Sequence, residues 1–261
     1  MVFASDMLVD ERRHLIAESV IARGAATVAE LSEEFGVSHV TIRSDLVALE
    51  NQGTLTRNRG GAVANRVSRF TPAFQQQSSV NRRAKQAIAA HAAALITDGD
   101  RVVLDAGSTT LYLADELCNR RLTIAVNSVY TMNKLIEARD IDLIVVGGTL
   151  FGPALSFTGE LAEGFLDRLH FDVAVLSVNG VSERGISVNN QYEAGVKRKM
   201  IEQSDRVIVL ADSSKIGLNS LVRIDALDKI NIVVTEASIG EALKKKFARS
   251  NPHLEVVVAK G

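Results

Sequence analysis

The chain contains 261 residues, of which 46% are hydrophobic, and it has a formal net charge of −1 and a single cysteine. This composition excludes intrinsic disorder and a disulfide framework, and its length is typical of one large domain with a small one. No apolar run approaches the roughly 18 residues of a membrane helix, and no signal peptide is recognisable, so we expect a cytoplasmic protein without membrane contact. Nucleic-acid binding would require a local basic patch, because the overall charge is close to zero.

The first part of the chain has the pattern of three short helices followed by a two-stranded ribbon. Apolar residues recur at helical spacing in three groups. Thr27 and Glu30 have the spacing of a capping box at the second helix, and Ser38 begins the third. In the segment 53–63, Leu55, Arg57 and Arg59 occupy alternate positions and a glycine pair follows. This pattern predicts a two-stranded ribbon with a tight bend. We therefore predict a small winged unit over residues 1–64.

The third predicted helix has an apolar face and an opposite face that is short and mostly polar. With Ile42 and Leu46 in the core, a step of 100° per residue places Ser44 on the outside, with Arg43 beside it. Such a face suits the major groove of DNA, where Arg contacts guanine and Ser or Thr contacts either base type. A solvated helix in a protein-binding module is the alternative. The candidate DNA-binding residues of this helix and the ribbon are Ser38, His39, Val40, Thr41, Arg43, Ser44, Arg57, Arg59 and Gly60.

Basic residues are concentrated in the same part of the chain. Residues 38–85 contain eight basic and two acidic residues, a net charge of +6, whereas residues 1–37 have a net charge of −4. Phosphate contacts supply most of the nonspecific affinity for DNA, so this asymmetry favours nucleic acid over a protein partner.

The rest of the chain divides into a linker and a large α/β domain. Residues 65–81 are polar and poor in aliphatic side chains, which predicts a linker before the domain at 82–261. In that domain, seven short apolar runs alternate with six helical patterns, which predicts a doubly wound, mostly parallel sheet. The predicted strands are 101–105, 122–126, 142–147, 173–178, 206–211, 230–235 and 254–259, and the predicted helices are 83–97, 109–118, 129–138, 160–169, 192–203 and 239–249.

Small and polar residues follow five of the predicted strands, at the edge where open α/β sheets bind ligands. In the turn AGSTT at 106–110, Gly107 allows close approach and the hydroxyls precede a helix, so the turn can hold a phosphate. The turn alone is weak evidence, because many turns cap helices in this way. Glu193 and Lys197 lie four residues apart on a helix, a spacing that by itself favours a surface ion pair. No cluster has metal-ligand spacing, and we expect no metal or cofactor.

Two stretches of the sequence resemble the DeoR family of bacterial transcriptional regulators. Residues 28–63 are similar to the family's winged helix-turn-helix in the elements Val37-Ser38, Thr41-Ile42-Arg43, Asp45-Leu46, Leu49, Gly53 and Arg59-Gly60-Gly61. From about Arg82 onward, the motifs LDAGSTT, VNS, VGG, SVNGVSERGISVNN, the Glu193 position and LADSSKIG resemble its sensor domain. Many members have Arg where this chain has Ser44 and Thr where it has Val126, which affects operator preference and fine ligand contacts.

The resemblance implies a repressor, or occasionally an activator, whose sensor domain binds a phosphorylated sugar. On this basis Asp105 orients its loop or contacts a sugar hydroxyl, Lys215 supplies positive charge and Glu193 accepts hydrogen bonds. The candidate effector-binding residues are Asp105, Gly107, Ser108, Thr109, Thr110, Asn127, Ser128, Gly147, Gly148, Asn179, Gly180, Glu193, Lys197 and Lys215.

Two alternatives remain open at this point. The sensor domain also resembles sugar-phosphate isomerases, which would make the chain an isomerase-like enzyme with a DNA-binding domain. In those isomerases the loop that corresponds to 179–182 carries aspartates, whereas here it has amide and hydroxyl side chains, so a regulator is favoured. The second alternative is an adaptor that binds protein. We expect operator double-stranded DNA and a sugar phosphate as partners. We also expect a homodimer or homotetramer, because a single recognition helix contacts few base pairs.

Overall fold

The structure is a computed structural model that describes residues 9–51, 55–64, 74 and 78–259. The chain divides into two compact units, Met1–Gln76 and Gln77–Gly261. Most of the predicted linker, residues 65–73 and 75–77, lies outside the described residues.

Unit 1 contains the three predicted helices and the predicted ribbon. Its elements are α1 (Val9–Arg23), β1 (Ala25–Thr27), α2 (Val28–Phe35), α3 (His39–Asn51), β2 (Leu55–Asn58) and β3 (Gly61–Ala64). The ribbon β2–β3 is joined by β1 in an antiparallel sheet with the order β1-β3-β2. The three-residue strand β1 was not predicted, because it is too short to show an alternating pattern.

Local hydrogen bonds explain where α2 and α3 begin. The Thr27 hydroxyl accepts from the Glu30 amide at 3.2 Å, and the Thr27 amide donates to the Glu30 carboxylate at 2.7 Å, so the predicted capping box is present. Gly36 ends α2 with a φ of 63°, in the left-handed region that glycine adopts without strain. At α3, the Ser38 hydroxyl accepts from the Thr41 amide at 3.1 Å.

The two glycines of the ribbon have different functions. Gly60 lies in the turn with a φ of 98°, so it supplies the bend. Gly61 already belongs to β3, and a Cβ at this position would overlap the backbone of Ala26 in β1. Only one residue of the predicted glycine pair therefore makes the bend, and the other lets the third strand approach.

Helix α1 holds α3 in place through a buried carboxylate. Ile16, Ile42 and Leu46 are fully or almost fully buried in the core of unit 1. Asp45 is also buried, and it accepts hydrogen bonds from Arg12 at 2.8 Å and from Arg13 at 3.0 Å. Because a buried carboxylate requires charged partners, these two arginines fix the position of α3 against α1.

Unit 2 is a doubly wound α/β domain, as predicted. Its elements are α4 (Arg82–Ala94), β4 (Arg101–Leu104), α5 (Ser108–Leu117), β5 (Leu122–Val126), α6 (Val129–Leu135), β6 (Ile141–Val145), β7 (Thr149–Phe151), β8 (Ser156–Thr158), α7 (Glu160–Leu166), β9 (Phe171–Ser177), β10 (Gly180–Ser182), β11 (Gly185–Val188), α8 (Gln191–Glu202), β12 (Ser204–Leu210), β13 (Val222–Asp225), β14 (Ile232–Thr235), α9 (Glu241–Ser250) and β15 (Glu255–Val258). Seven parallel strands have the order β15-β14-β12-β9-β4-β5-β6.

Helices cover both faces of this sheet. Val102 and Leu104 of β4 are buried in one apolar cluster with residues of α4, α5 and α6. Val103 points to the opposite face, in a second cluster with residues of α7, α8 and α9. Burial on both faces explains why the strands appear in the sequence as continuous apolar runs. All seven predicted strands and all six predicted helices of this domain are confirmed, with small differences at their ends.

Two small sheets in unit 2 were not predicted. The hairpin β7–β8 follows β6, and β10, β11 and β13 form an antiparallel sheet next to the carboxyl end of β9. Their strands have three or four residues each, too few for a clear periodicity. Within the described part of the chain, no helix is long and apolar enough to cross a membrane.

Candidate DNA-binding and effector sites

The exposed face of α3 carries the side chains predicted for DNA. Val40 is 75% exposed, and Arg43 and Ser44 are also exposed, whereas Ile42 and Leu46 are buried on the other side. The predicted orientation of α3 is therefore confirmed. The hydroxyls of Ser38 and Thr41 lie 2.9 Å apart at the start of the helix, and the Ser38 hydroxyl also caps it. Ser38 thus caps the start of α3. Backbone amides at such a helix N-terminus attract phosphate.

The ribbon presents its basic residues unequally. Arg59 and Gly60 are exposed in the turn between β2 and β3. Arg57 forms an ion pair with Glu50 of α3, with 2.7 Å between Nε and Oε2, and its amide donates to the same carboxylate at 2.9 Å. These hydrogen bonds lower the pKa of Glu50, so this carboxyl remains charged and offsets part of the charge of Arg57.

In unit 2, the Asp105 carboxylate is fully buried behind the strand ends. Its Oδ1 accepts from the Ser177 amide at 3.0 Å, and its Oδ2 forms an ion pair with Lys197. Lys197 also donates to the Ser177 carbonyl at 2.9 Å. Spacing alone favours a surface ion pair between Glu193 and Lys197, but the helix directs Lys197 into the interior, where it pairs with Asp105, and contact of Lys197 with the effector stays a prediction. Both carboxylate oxygens of Asp105 thus have partners within the protein, which fits the predicted orientation of its loop, and a contact with a sugar hydroxyl stays a prediction.

The turn after β4 has the form expected of an anion-binding loop. A Cβ on Gly107 would overlap the Ser177 side chain, so a larger residue does not fit there. The Thr110 hydroxyl donates to the carbonyls of Asp105 and Gly107 at 2.9 Å each, so it holds the loop. The Thr110 hydroxyl is thus occupied within the loop, and its contact with phosphate stays a prediction. The Thr109 hydroxyl is buried without a hydrogen-bond partner among the described residues, and Ser108 begins α5 beside it.

The end of β5 faces the unpredicted hairpin. Asn127 donates to the Phe157 carbonyl at 3.1 Å, while its Oδ1 is buried without a partner in the described part of the chain. The Ser128 hydroxyl accepts from the Thr131 amide at 3.3 Å and thereby caps α6. Ser156 of β8 pairs with Ser128, and its hydroxyl is likewise buried without a partner there. Ser156 was missed because nothing in the sequence indicates that β8 returns to this edge.

Of the remaining predicted glycines, Gly148 and Gly180 are closely packed. Gly148 has a φ of 147° and lies against Ala162 and the Thr158 carbonyl, whereas Gly147 is exposed. A Cβ on Gly180 would lie 2.5 Å from the Leu218 carbonyl oxygen. The Asn179 side chain accepts from the Asn189 amide at 3.3 Å. These contacts shape the loops at the strand ends. A direct contact between these residues and a ligand stays a prediction.

Three lysines and two aspartates are brought together at this edge. Lys215 lies 3.7 Å from Asp212, and burial lowers the pKa of Lys215, while Asp212 raises it. Lys85 of α4 is 2% exposed, and its pKa is lowered by burial and by the charge of Lys215. Burial and Lys215 also lower the pKa of Lys197. The lysines are therefore close enough to repel one another.

Lys85 was counted with the basic residues expected to face DNA, and that assignment is wrong because its side chain is buried in unit 2. The helical spacing of Lys85 from Ile88 and Ala92 in α4 was the available signal, since it places all three on the buried face. Glu193 keeps its predicted position near the start of α8. Its amide donates to Asn190 at 2.9 Å, and burial raises the pKa of its carboxyl group. Across the described ranges, no group of His, Cys, Asp and Glu could hold a metal ion.

Comparison with known proteins matches both units. The model of the DeoR-like helix-turn-helix domain matches residues 12–67, and that of the DeoR C-terminal sensor domain matches residues 80–237. Among solved structures, ribose 5-phosphate isomerase A from Methanocaldococcus jannaschii matches 52% of this chain and 55% of its own, with 20% identity and a TM-score of 0.39.

Three relatives are similar over most of their length. The HTH-type transcriptional regulator YulB of Bacillus subtilis is 38% identical over 92% of this chain and 93% of its own. The L-fucose operon activator of Haemophilus influenzae is 37% identical over 90% of this chain and 94% of its own. The transcriptional repressor GlcR of Bacillus subtilis is 32% identical over 96% of this chain and 97% of its own. With both domain models matched and relatives above 30% identity across nearly the whole chain, this protein belongs to the DeoR family of transcriptional regulators.

Proposed function

We propose that this protein is a repressor that binds operator double-stranded DNA and is released from it by a phosphorylated sugar. Residues 1–64 bind the DNA, residues 65–81 link the units and residues 82–261 bind the sugar phosphate. The observation that carries the proposal is the group of buried lysines at the carboxyl edge of the parallel sheet. Lys197 and Lys215 lie where α/β sheets bind ligands, and Lys85 is buried close enough to Lys215 for their charges to interact.

The lysines at this edge favour an anionic ligand. Asp105 pairs with Lys197, and Lys215 lies 3.7 Å from Asp212, which also accepts hydrogen bonds from Asn81 and Ser214. A phosphate placed against Lys215 would stabilise its ammonium group, whose pKa is lowered by burial. The amides at the start of α5 and the Thr109 hydroxyl supply further donors for the phosphate.

Sugar hydroxyls fit the neighbouring polar groups. Asn127 Oδ1 and the Ser156 hydroxyl are buried and have no partner among the described residues, a costly arrangement unless a ligand or water bonds them. Glu193 is partly buried near the same strand ends and can accept from a hydroxyl. The ligand we expect is therefore a monosaccharide with one phosphate group.

The same residues favour a sensor over an isomerase. Aldose–ketose isomerisation requires a general base and a partner that handles the hydroxyl protons. Asp105 is held by Lys197 and Asp212 faces Lys215, so Glu193 is the remaining carboxylate among the predicted residues. Its raised pKa suits a base, and an isomerase assay comparing wild type with Glu193→Gln tests this alternative. Turnover that disappears in Glu193→Gln would establish an enzyme.

A single recognition helix contacts few base pairs, so operator binding requires two DNA-binding units. We therefore infer a symmetric dimer or tetramer that binds repeated half-sites. Fluorescence anisotropy with upstream DNA of the protein's own operon, at two salt concentrations, tests this binding. A repressor loses affinity steeply as salt rises, whereas an adaptor that binds protein does not bind the duplex.

A thermal-shift screen identifies the effector class. Glucose 6-phosphate, fructose 6-phosphate and ribose 5-phosphate are compared with the unphosphorylated sugars and with inorganic phosphate. A ligand that binds the folded state raises the melting temperature by mass action. The proposal requires a shift with at least one sugar phosphate that its unphosphorylated sugar lacks, and the same compound must weaken the protein–operator complex.

A further inference from the structure

We propose that Asn81 is a positioning residue that couples occupancy of the strand-end site to the start of α4, where the chain from unit 1 enters the sensor domain. The inference rests on the proposed function and names the contact through which a bound ligand acts on the linker. It is carried by one hydrogen bond between distant parts of the chain and by the residues around it.

The conformation of Asn81 is unusual for its place. It precedes α4 at the N-cap position with a φ of 54° and a ψ of 34°, a region that residues other than glycine adopt rarely. An asparagine at an N-cap ordinarily accepts a hydrogen bond from the first turn of its helix. Here the side chain makes no cap bond, and Nδ2 instead donates to Asp212 Oδ1 at 3.3 Å. The side chain is therefore directed at the Asp212 loop.

Asp212 is the shared member of this network. It is 2% exposed and lies 3.7 Å from Lys215, one of the lysines assigned to phosphate. The Oδ1 that accepts from Asn81 also accepts from the Ser214 amide at 3.2 Å and from the Ser214 hydroxyl. An anion that draws Lys215 away from Asp212 changes the charge that this carboxylate faces, and with it the hydrogen bond to Asn81.

The segment around Asn81 touches the other side of the site as well. Tyr112 of α5 donates to the Ser78 carbonyl at 3.2 Å, and α5 is the helix that begins at the phosphate loop. Lys85 lies one turn after Asn81, and its charge interacts with Asp212 and Lys215. Residues 78–85 are thus bonded to the Asp212 loop and to α5, the helix that follows the proposed phosphate loop.

Space is available for this segment to shift. A cleft of about 620 Å³ lies between the start of α4, with Asn81, Arg82 and Arg83, and the loops that carry Ser213 and Glu236. The Asn81–Asp212 hydrogen bond spans the two sides of this cleft. A change in that bond is therefore expected to shift residues 78–81 relative to the Asp212 loop.

The test compares Asn81→Gly and Asn81→Asp with wild type in the full-length protein. Glycine accepts the left-handed backbone and has no side chain, and aspartate has the same size but cannot donate to Asp212. Asn133→Ala, which removes an exposed amide on α6, is the matched control. The probe is whichever of glucose 6-phosphate, fructose 6-phosphate and ribose 5-phosphate raises the wild-type melting temperature most.

Two quantities are measured for each protein: the Kd of the probe by calorimetry, and the ratio of operator affinities without and with saturating probe. We expect both Asn81 variants to bind the probe within about threefold of wild type while the ratio falls to nearly one. The Asn133→Ala control is expected to keep both values. If Asn81 had only a structural function, its substitution would weaken probe binding or lower stability, and the change would not be confined to the ratio of operator affinities.

The outcomes separate the two proposals. If wild type responds to the probe and both Asn81 variants keep its full ratio, the positioning function is refuted while the proposed function stands. Loss of probe binding in the variants also refutes it, because Asn81 would then belong to the binding site itself. If wild type neither binds the probe nor releases DNA, the proposed function fails, and the coupling fails with it.

Discussion

Arg43 projects from the exposed face of α3, where a guanidinium can reach a guanine edge. We predict that Arg43→Ala weakens binding to the operator by about 1–3 kcal/mol and leaves binding to unrelated duplexes nearly unchanged. Arg57→Ala is the matched control. It is expected to weaken binding to all duplexes alike and to reduce the slope of log affinity against log salt concentration by about one, as the loss of one phosphate contact would. The measurement is anisotropy with operator and shuffled DNA. Equal affinity of Arg43→Ala and wild type for the operator would remove Arg43 from base recognition.

Lys215 is predicted to make the binding of a sugar phosphate depend on pH in a defined direction. Burial lowers the pKa of this lysine, so its charge is lost at a lower pH than that of an exposed lysine. A phosphate monoester is a dianion above about pH 7 and does not titrate further. Affinity for a sugar phosphate is therefore expected to fall as pH rises from 7 to 10. In Lys215→Arg the fall should be reduced, because arginine keeps its charge, and a pH-independent wild-type affinity would contradict the assignment.

The ion pair between Lys197 and Asp105 is predicted to matter for stability. Lys197→Met leaves a fully buried carboxylate without its charged partner, a loss of about 3–5 kcal/mol. The double variant Lys197→Met/Asp105→Leu should recover much of this loss, since no buried charge remains. Lys134→Met, which removes an exposed pair with Asp115, should cost less than about 1 kcal/mol. Urea unfolding of the four proteins gives these differences, and equal losses for the two lysines would refute the prediction.

At the scale of elements, the winged unit depends on the approach of β1 to β3. Gly61→Ala places a methyl group against the backbone of Ala26, and we expect a destabilisation of about 1–3 kcal/mol from this overlap. Hydrogen exchange should show faster exchange of the β1 amides, with α2 and α3 little changed. Gly60→Ala is the comparison, because an added Cβ there meets no atom within 4 Å and only the backbone at φ 98° is strained. Unchanged exchange in β1 of Gly61→Ala would show that the strand adjusts without loss.

The predictability of these elements follows from the range of the interactions that form them. The seven strands of the large sheet are buried on both faces, so each is an apolar run that can be recognised locally. Capping at Thr27 and Ser38 is equally local, because donor and acceptor are three residues apart. The short strands β1 and β8 have no such signature, since they form only where a distant strand accepts them.

The partners of the site residues could not be predicted for the same reason. The spacing of Glu193 and Lys197 indicates that both lie on one face of a helix. The fold, however, places Lys197 of α8 against Asp105, which follows β4. Lys85 belongs by sequence to a basic stretch, and its burial beside Asp212 and Lys215 depends on the packing of α4 onto the sheet. Local patterns thus locate the edge at which the site forms, and the tertiary contacts decide which side chains remain available to a ligand.

For the whole molecule, the proposed regulation requires a thermodynamic link between operator binding and sugar-phosphate binding. If a sugar phosphate lowers operator affinity by a factor of about 5–150, operator DNA must lower the affinity for that sugar phosphate by the same factor. Calorimetric titration of the sugar phosphate into free protein and into protein saturated with operator measures this factor directly. Protein mixed with shuffled DNA, at a salt concentration that prevents nonspecific binding, is the control. A ligand that binds both forms equally would show that occupancy of the sensor domain does not control the DNA-binding unit, whatever residues hold the ligand.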